Sequence, residues 1–451
     1  MFDLYTKFVS NVIFPLHEKL KSHTTVSVRK QMEETQWLSV DEVERQQAIR
    51  LTDFLVKISE EVPYYKVLFK KIDFKPQSVN KVSTLEQLPF LTKEIIRDNF
   101  EKLKSDTASN LQRFNTGGSS GSPLVFLLGN ERVSHDVAAK WRATRWWDVD
   151  IGDPEIVVWG SPIELGGQDK VKAIRDKIIR THLLPAFEMS DTNLKKFIQS
   201  IQKTRPKMLF GYPSSISHIA LYAEKENIKM SDLGIKVAFV TSEKLYDHQR
   251  SAIERVFGCP VANGYGGRDA GFIAHQCPQS GMHITADDII VEIVDVDGKV
   301  LPKGESGEIV VTHMATGEFP FVRYKTGDIG VLDDEICSCG RGLPLLKEIQ
   351  GRTTDFIIAN DGTVMHGLAL IYVIRDIDGV ENFKITQESL DLTTVQLVTN
   401  EIFDEAEING IIKGFKQRLG ESVRIEVERV TGIQKEKSGK FRYVVSHVKT
   451  S

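Results

Sequence analysis

Residues 115–124 read NTGGSSGSPL, and the stretch 116–123 holds three glycines and four hydroxyl side chains. Glycine lets the backbone approach a phosphate and take positive φ. Serine and threonine hydroxyls, with turn amides, satisfy phosphate oxygens. By residue type, Thr116, Gly117, Gly118, Ser119, Ser120 and Gly121 therefore make a phosphate cradle. No Gly-Lys-Ser/Thr closes the loop, so it is not a Walker loop; taken alone, it also reads as an ordinary flexible turn.

A second chemistry lies in the cysteines. Five residues separate Cys277 from His283, and Cys337-Ser338-Cys339-Gly340 resembles half a zinc knuckle. Three thiolates and one imidazole are a closed, structural zinc set. Buried free cysteines are the alternative reading, and His275 is an alternative imidazole. The fourth cysteine, Cys259, sits at a strand entry and reads as core. Four cysteines in 451 residues are too few for a secreted disulfide framework, and a reducing, cytoplasmic location is expected.

The elements that must position these groups follow from periodicity. Short apolar runs at 124–128, 155–159, 207–211 and 236–240 alternate with helical patterns at 131–147, 169–180, 190–203, 214–227 and 246–257. Continuous apolar strands between helices imply a buried, largely parallel sheet. Residues 38–60 are helical by pattern, and so are 83–104, with Pro89 and Thr92 marking a break and a new start. From 283 to about 350 the chain turns β-rich, as a meander or small barrel-like module. The last hundred residues are α+β. The expected fold is thus α/β: a large N-terminal domain over 1–351, a hinge near 351–355 and a small mobile α+β domain over 352–451.

Bulk properties narrow the partners. Net charge is −4 and the sequence pI is about 6.3, which argues against nucleic acid as the main partner. No apolar run approaches the ~20 residues of a membrane span. The N-terminal MFDLYTKFVSNVIFPLHEKL lacks the pattern of a signal peptide. It reads as a docking helix packed on the body or on another subunit, with membrane-surface contact as the alternative.

The loop at 116–123 does not stand alone. Tyr265-Gly266-Gly267-Arg268-Asp269, Tyr324-Lys325-Thr326-Gly327-Asp328, Gly351-Arg352 and Ser438-Gly439-Lys440 follow it in order. This series resembles the adenylate-forming superfamily of acyl-CoA synthetases, adenylation domains and luciferases, over roughly residues 85–451. Within the superfamily, FGYPSSI at 210–216, the run 264–284 and CSCGRGLPLLKEIQGRTTDF at 337–356 are most similar to phenylacetate–CoA ligases and their capsule-biosynthesis relatives.

The resemblance implies roles. Thr116 to Gly121 would hold the β- and γ-phosphates of ATP. Ser242, Glu243, Gly264, Tyr265 and Gly266 would wall the nucleotide, with Tyr265 packed on adenine. Asp269 would bind Mg²⁺, a hard cation that wants carboxylate oxygen. Asp328 would accept both ribose hydroxyls, with Arg323 supporting the nucleotide, and Arg352 would contact ribose or phosphate. Lys440 would bridge the incoming carboxylate and the α-phosphate, lowering the barrier electrostatically. Trp159, Tyr212, Pro213, Asn263 and Arg268 would line the acid pocket. Departures are Leu124 in place of a lysine, Gln434 in place of a proline, and Thr354 at the hinge.

The implied reaction is ATP-dependent acyl-adenylate formation with pyrophosphate release, then transfer of the acyl group. Three readings compete: transfer to CoA, which is favoured; transfer to an amine or hydroxyl, as the capsule resemblance suggests; and a non-catalytic nucleotide-binding protein. ATP/AMP, Mg²⁺, structural Zn²⁺ and CoA are the cofactors expected. A small carboxylic acid and an acceptor are the partners, with a homodimer left open.

Overall fold

The computed structural model describes residues 3–116, 124–159, 170–186, 189–243, 245–349, 356–374, 377–433 and 444–448. The loop residues 117–123, the hinge with Arg352 and Thr354, and the segment holding Gln434 and Lys440 lie outside the described residues.

Apolar runs become parallel strands where sequence periodicity places them, at β3 (Glu155–Trp159), β5 (Met208–Gly211) and β6 (Val237–Thr241), and two more parallel strands join them, β4 (Thr181–Pro185) and β7 (Val261–Gly267). Every residue of β5 and β6 is buried, as expected of strands covered on both faces. The helices between them match the periodic stretches: Asn130–Arg145, Lys170–Ile178, Asp191–Thr204, Pro213–Lys225 and Asp247–Phe257. Ser190 caps one of these helices, accepting from the Asn193 amide.

The β-rich stretch after 283 does not form a module of its own. Strand β8 (Gly271–Gln276) turns back antiparallel on β7, and β9 (Met282–Ile284), β10 (Ile289–Val294), β11 (Ser306–His313), β12 (Phe321–Asp333) and β13 (Leu345–Ile349) follow. All join one eleven-stranded sheet in the order β10-β11-β12-β13-β9-β8-β7-β6-β5-β3-β4. The reason is edge satisfaction: β13 pairs with β9 through Leu345 and His283, so the meander extends the parallel sheet rather than closing on itself.

The helical reading of 83–104 also fails in part. Only Lys93–Asp98 is α-helical, capped by Thr92, after a 3₁₀ turn at Val82–Gln87. Leu91 is held extended against β12: its amide donates to the Arg323 carbonyl and its carbonyl accepts from the Lys325 amide, both at 3.0 Å. Tertiary pairing overrides local propensity here.

The loop at 117–123 spans an antiparallel hairpin, β1 (Gln112–Asn115) with β2 (Val125–Leu128). The apolar run at 124–128 is therefore a hairpin arm, outside the parallel sheet. Beyond 356 the described residues build their own core, with Phe383, Ile385, Val395, Leu397, Ile411, Phe415 and Leu419 all buried in one cluster. Its four-stranded sheet has, side by side, Arg424–Arg429, Leu392–Thr399, Val380–Gln387 and Val444–Ser446.

Candidate active site and a cysteine–histidine cluster

The chain runs from β3 outward to β4, then crosses back to lay β5 on the other side of β3. The strand order thus reverses between β3 and β5, and open α/β sheets bind ligands at the carboxyl ends of strands at such a point. Trp159 ends β3, and Tyr212 follows β5; their rings stack with centroids 4.4 Å apart. Pro213 opens the next helix at its first turn, where a missing N–H costs nothing. Trp159 also stacks on Phe210 at 5.9 Å.

Along the same edge, β6 ends at Thr241 and is followed by Ser242, whose φ of +72° is left-handed, and Glu243, which accepts from the Ser214 hydroxyl. A non-glycine residue in that conformation is uncommon and clusters at functional sites. Strand β7 ends in Gly264, Tyr265 and Gly266. At Gly266 a Cβ would stand 2.1 Å from the Gly271 carbonyl oxygen across the β7–β8 turn, so only glycine allows this close approach. Asn263 donates its amide to the Gln276 side chain at 3.0 Å, and Arg268 is exposed beside the turn.

Two phenol–carboxylate pairs join this edge to β12. The Tyr265 hydroxyl donates to Asp328 Oδ2 at 3.0 Å. Burial, then the Asp328 charge, raise its pKa well above the usual phenol value, so it stays a donor. The Tyr324 hydroxyl donates to Asp269 Oδ2 at 2.7 Å, and the Ala270 amide donates to Asp269 Oδ1 at 3.1 Å. The half-buried Asp269 carboxylate thus takes two donors and keeps lone pairs for a hard cation.

Behind Asp269 lies a buried ionic network with no counterpart in the sequence reading. Arg132 is 1% exposed. Its Nη2 donates to the Asp269 carbonyl at 3.4 Å, and its Nε donates to Asp136 at 2.8 Å. Asp136 faces His313. His135 in turn contacts Asp288 at 2.8 Å, which also pairs with Arg50. Burial, then Arg132, depress the His313 pKa to about 4, so that ring is neutral. Arg132 and Asp136 are four residues apart on one helical face. That spacing was the available signal, but it also fits a solvated ion pair.

Arg323 does not face the nucleotide edge. It is 3% exposed and pairs with Glu292 through Nη2 at 2.9 Å and Nε at 3.1 Å. Its Nη1 donates to the Leu88 carbonyl at 2.7 Å. These partners make it a buried clamp that holds the 86–91 segment to the sheet. Leu124 likewise points into the core with no exposure. Its amide donates to the Thr116 hydroxyl, and its carbonyl accepts from the Thr116 amide, both at 3.0 Å, so the pair closes the neck of the loop.

Elsewhere the sheet brings the four cysteine and histidine ligand candidates together. The ligand atoms of Cys277, His283, Cys337 and Cys339 lie within 4.8 Å of one another. Cys277 and Cys337 sulfurs are 3.6 Å apart, and Cys339 Sγ is 3.2 Å from His283 Nε2. A tetrahedral zinc with Zn–S near 2.3 Å would set sulfurs about 3.8 Å apart. His283 Nδ1 faces the Leu343 carbonyl at 3.4 Å, the outer-shell contact that leaves Nε2 for a metal. Burial pushes the Cys277 thiol up to about 12 and the His283 imidazole down to about 4. A bound cation would compensate a thiolate there. His275 is not part of the cluster: its ring stacks on Phe272 at 5.6 Å, and its nitrogens have no hydrogen-bond partner among the described residues.

An α/β sheet with nucleotide-type groups on its carboxyl edge, followed by a separately cored α+β unit, is the architecture of adenylate-forming ligases. The comparisons with known proteins agree. The AMP-binding enzyme family matches residues 179–317, and the CapK C-terminal domain matches residues 357–447. Residues 179–317 thus match an AMP-binding domain, and the chain is a homologue of CapK and of phenylacetate-coenzyme A ligases. It is 27% identical to protein CapK of Staphylococcus aureus across 89% of this chain and 88% of that protein. It is 25% identical to the phenylacetate-coenzyme A ligase of Pseudomonas putida across 86% and 85%. The crystal structure of 2-hydroxyisobutyryl-CoA ligase with 2-HIB-AMP and CoA in its thioesterification state superposes with a TM-score of 0.65 at 19% identity, covering 92% of this chain and 91% of that one. At that identity, the likeness speaks to fold alone.

Among the described residues, no helix is long and apolar enough to cross a membrane.

Proposed function

We propose that this chain is an AMP-forming carboxylate ligase: it activates a carboxylic acid as the acyl-adenylate, releases pyrophosphate and passes the acyl group to CoA. The observation that carries the reading is the pair of phenol-held carboxylates, Tyr324–Asp269 and Tyr265–Asp328, which join the end of β7 to β12. In this reading the loop 116–121 binds the β- and γ-phosphates. Asp328 accepts from the ribose hydroxyls in a bidentate, charge-assisted arrangement. Tyr265 presents its ring to adenine while its hydroxyl orients Asp328. Ser242, Glu243, Gly264 and Gly266 complete the wall, and Arg352 contacts the ribose or phosphates.

Asp269 would hold Mg²⁺, which when bound offsets charge on the phosphates. Lys440 supplies a point cation to the incoming carboxylate and α-phosphate. It rides on a mobile unit beginning near 352. Trp159, Tyr212 and Pro213 wall the acid pocket at the β3–β5 reversal, with Asn263 and Arg268 at its polar end. Cys277, His283, Cys337 and Cys339 hold a structural zinc that leaves no open coordination position.

A second reading, transfer of the adenylate to an amine or hydroxyl, is favoured by the match to CapK over nearly the whole chain. Pyrophosphate release screened over carboxylic acids, with and without CoA, separates the two. Acid-dependent release accelerated by CoA, with thioester formed, supports the ligase reading. Release indifferent to CoA counts against it. Lys440→Ala should retain ATP binding and lose adenylation by about a hundredfold or more; adenylate formed at the normal rate would remove Lys440 from the mechanism.

A further inference from the structure

Leu4–Phe8, Val9–Ile13 and Phe14–Leu20 form one continuous N-terminal helix with a π-turn at its centre. One face packs on the body. Thr6 donates to Asp153 at 2.7 Å, Tyr5 donates to the Ile178 carbonyl at 2.8 Å, and Phe14 meets Trp141 edge-on at 5.1 Å. Glu18 is buried, facing His23 and accepting from Thr25. The opposite face is apolar and bare. Leu4, Phe8, Val12, Leu16 and Leu20 recur every four residues and are 87, 51, 51, 58 and 79% exposed.

A four-residue repeat drifts around a straight α-helix. Here the π-turn, in which the Phe14 amide donates to the Val9 carbonyl, takes up an extra residue and keeps the row on one side. Tyr5 and Ile174 add exposed apolar surface at its N-terminal end, Ile174 lying one turn before the carbonyl that Tyr5 binds.

The rim of this row is cationic. Lys7, Lys19, Lys21 and Lys177 are exposed. The one exposed acid on the helix, Asp3, is paired with Arg180 at 3.0 Å. The face is therefore positive on a chain whose net charge is −4. A second copy of the same face in an isologous contact would repeat these lysines against one another. An anionic bilayer complements both features, with hydrocarbon for the apolar row and phosphate for the lysines. From this complementarity we infer that the N-terminal helix lies in the plane of an anionic membrane surface and docks the chain there.

The test is co-sedimentation of the full chain with vesicles of phosphatidylcholine alone or mixed with phosphatidylglycerol, at low and high salt. Binding to the phosphatidylglycerol vesicles that falls with salt is expected. Phe8→Gln with Leu16→Gln should weaken it by at least about tenfold, and Lys19→Gln or Lys21→Gln by roughly fivefold each. These side chains face solvent, so far-UV circular dichroism and pyrophosphate release should be unchanged in the variants. Binding to phosphatidylglycerol vesicles no greater than to phosphatidylcholine alone overturns the inference. A wild-type dimer that Phe8→Gln with Leu16→Gln dissociates, without vesicle binding, reassigns the face to a second copy of the chain.

Discussion

Tyr324 has no exposed surface, yet its hydroxyl reaches out of the core to Asp269. A hydrogen bond to a charged acceptor contributes about 1.5–3 kcal/mol. Removing the hydroxyl while keeping the ring therefore tests position rather than packing. Tyr324→Phe should lower kcat/KM by roughly ten- to a hundredfold and raise the Mg²⁺ concentration needed for half-maximal rate, with the KM for the acid unchanged. An unaltered Mg²⁺ dependence would mean that Tyr324 does not position Asp269. Asp269 and Asp328 stand out in the sequence as candidates because each sits in a short motif with its neighbours. Tyr324, which holds Asp269, lies in the second motif, but sequence alone assigns it no partner because Asp269 is 55 residues away. Arg132 was illegible for a related reason: a helix shows which residues share a face, but not that this face is buried under the β7–β8 turn.

At the level of elements, β9 is only three residues long and joins β13 through a single pair. So short a strand has few ladder hydrogen bonds to fix its register. The Cys277–His283 turn and the Cys337–Cys339 loop meet at this point, and a shared zinc would clip the β8–β9 hairpin to the β12–β13 connection. Protein purified without chelator should carry about one zinc per chain. Cys339→Ser or chelation should lower Tm by about 4 °C, corresponding to a loss of about 3 kcal/mol in a unit of this size, while ATP binding persists. Zinc well below stoichiometry, or a Tm indifferent to chelation, would leave the four residues as buried free thiols and a core imidazole. Sequence periodicity placed β3, β5 and β6 to within a residue because burial on both faces makes a strand a continuous apolar run. It misjudged β10–β13 because alternation shows that a strand has a covered face, but not which distant strand completes its edge. It likewise missed the extended Leu91, whose conformation is set by β12.

Across the whole molecule, the buried side chains divide into separate clusters. The β8–β12 end of the large sheet is packed by one set and the two faces of β5 and β6 by two others, and residues 357–444 supply another that shares no member with them. Alternation of strand and helix patterns in the sequence was enough to suggest a large unit and a small one, since each needs its own apolar faces. Cooperativity follows contact, so two cores that share no side chains have little reason to melt together. The five tryptophans make this measurable: Trp37, Trp141, Trp146, Trp147 and Trp159 all precede the C-terminal cluster, and their fluorescence reports the large unit alone. Far-UV circular dichroism reports both. In urea, the circular dichroism curve should show a transition that fluorescence does not, carrying the amplitude of the small unit's sheet and helices. Superimposable curves with a single midpoint would mean that the two cores unfold as one body, and would weaken the case for a C-terminal unit free to bring Lys440 to the acid and withdraw it before transfer.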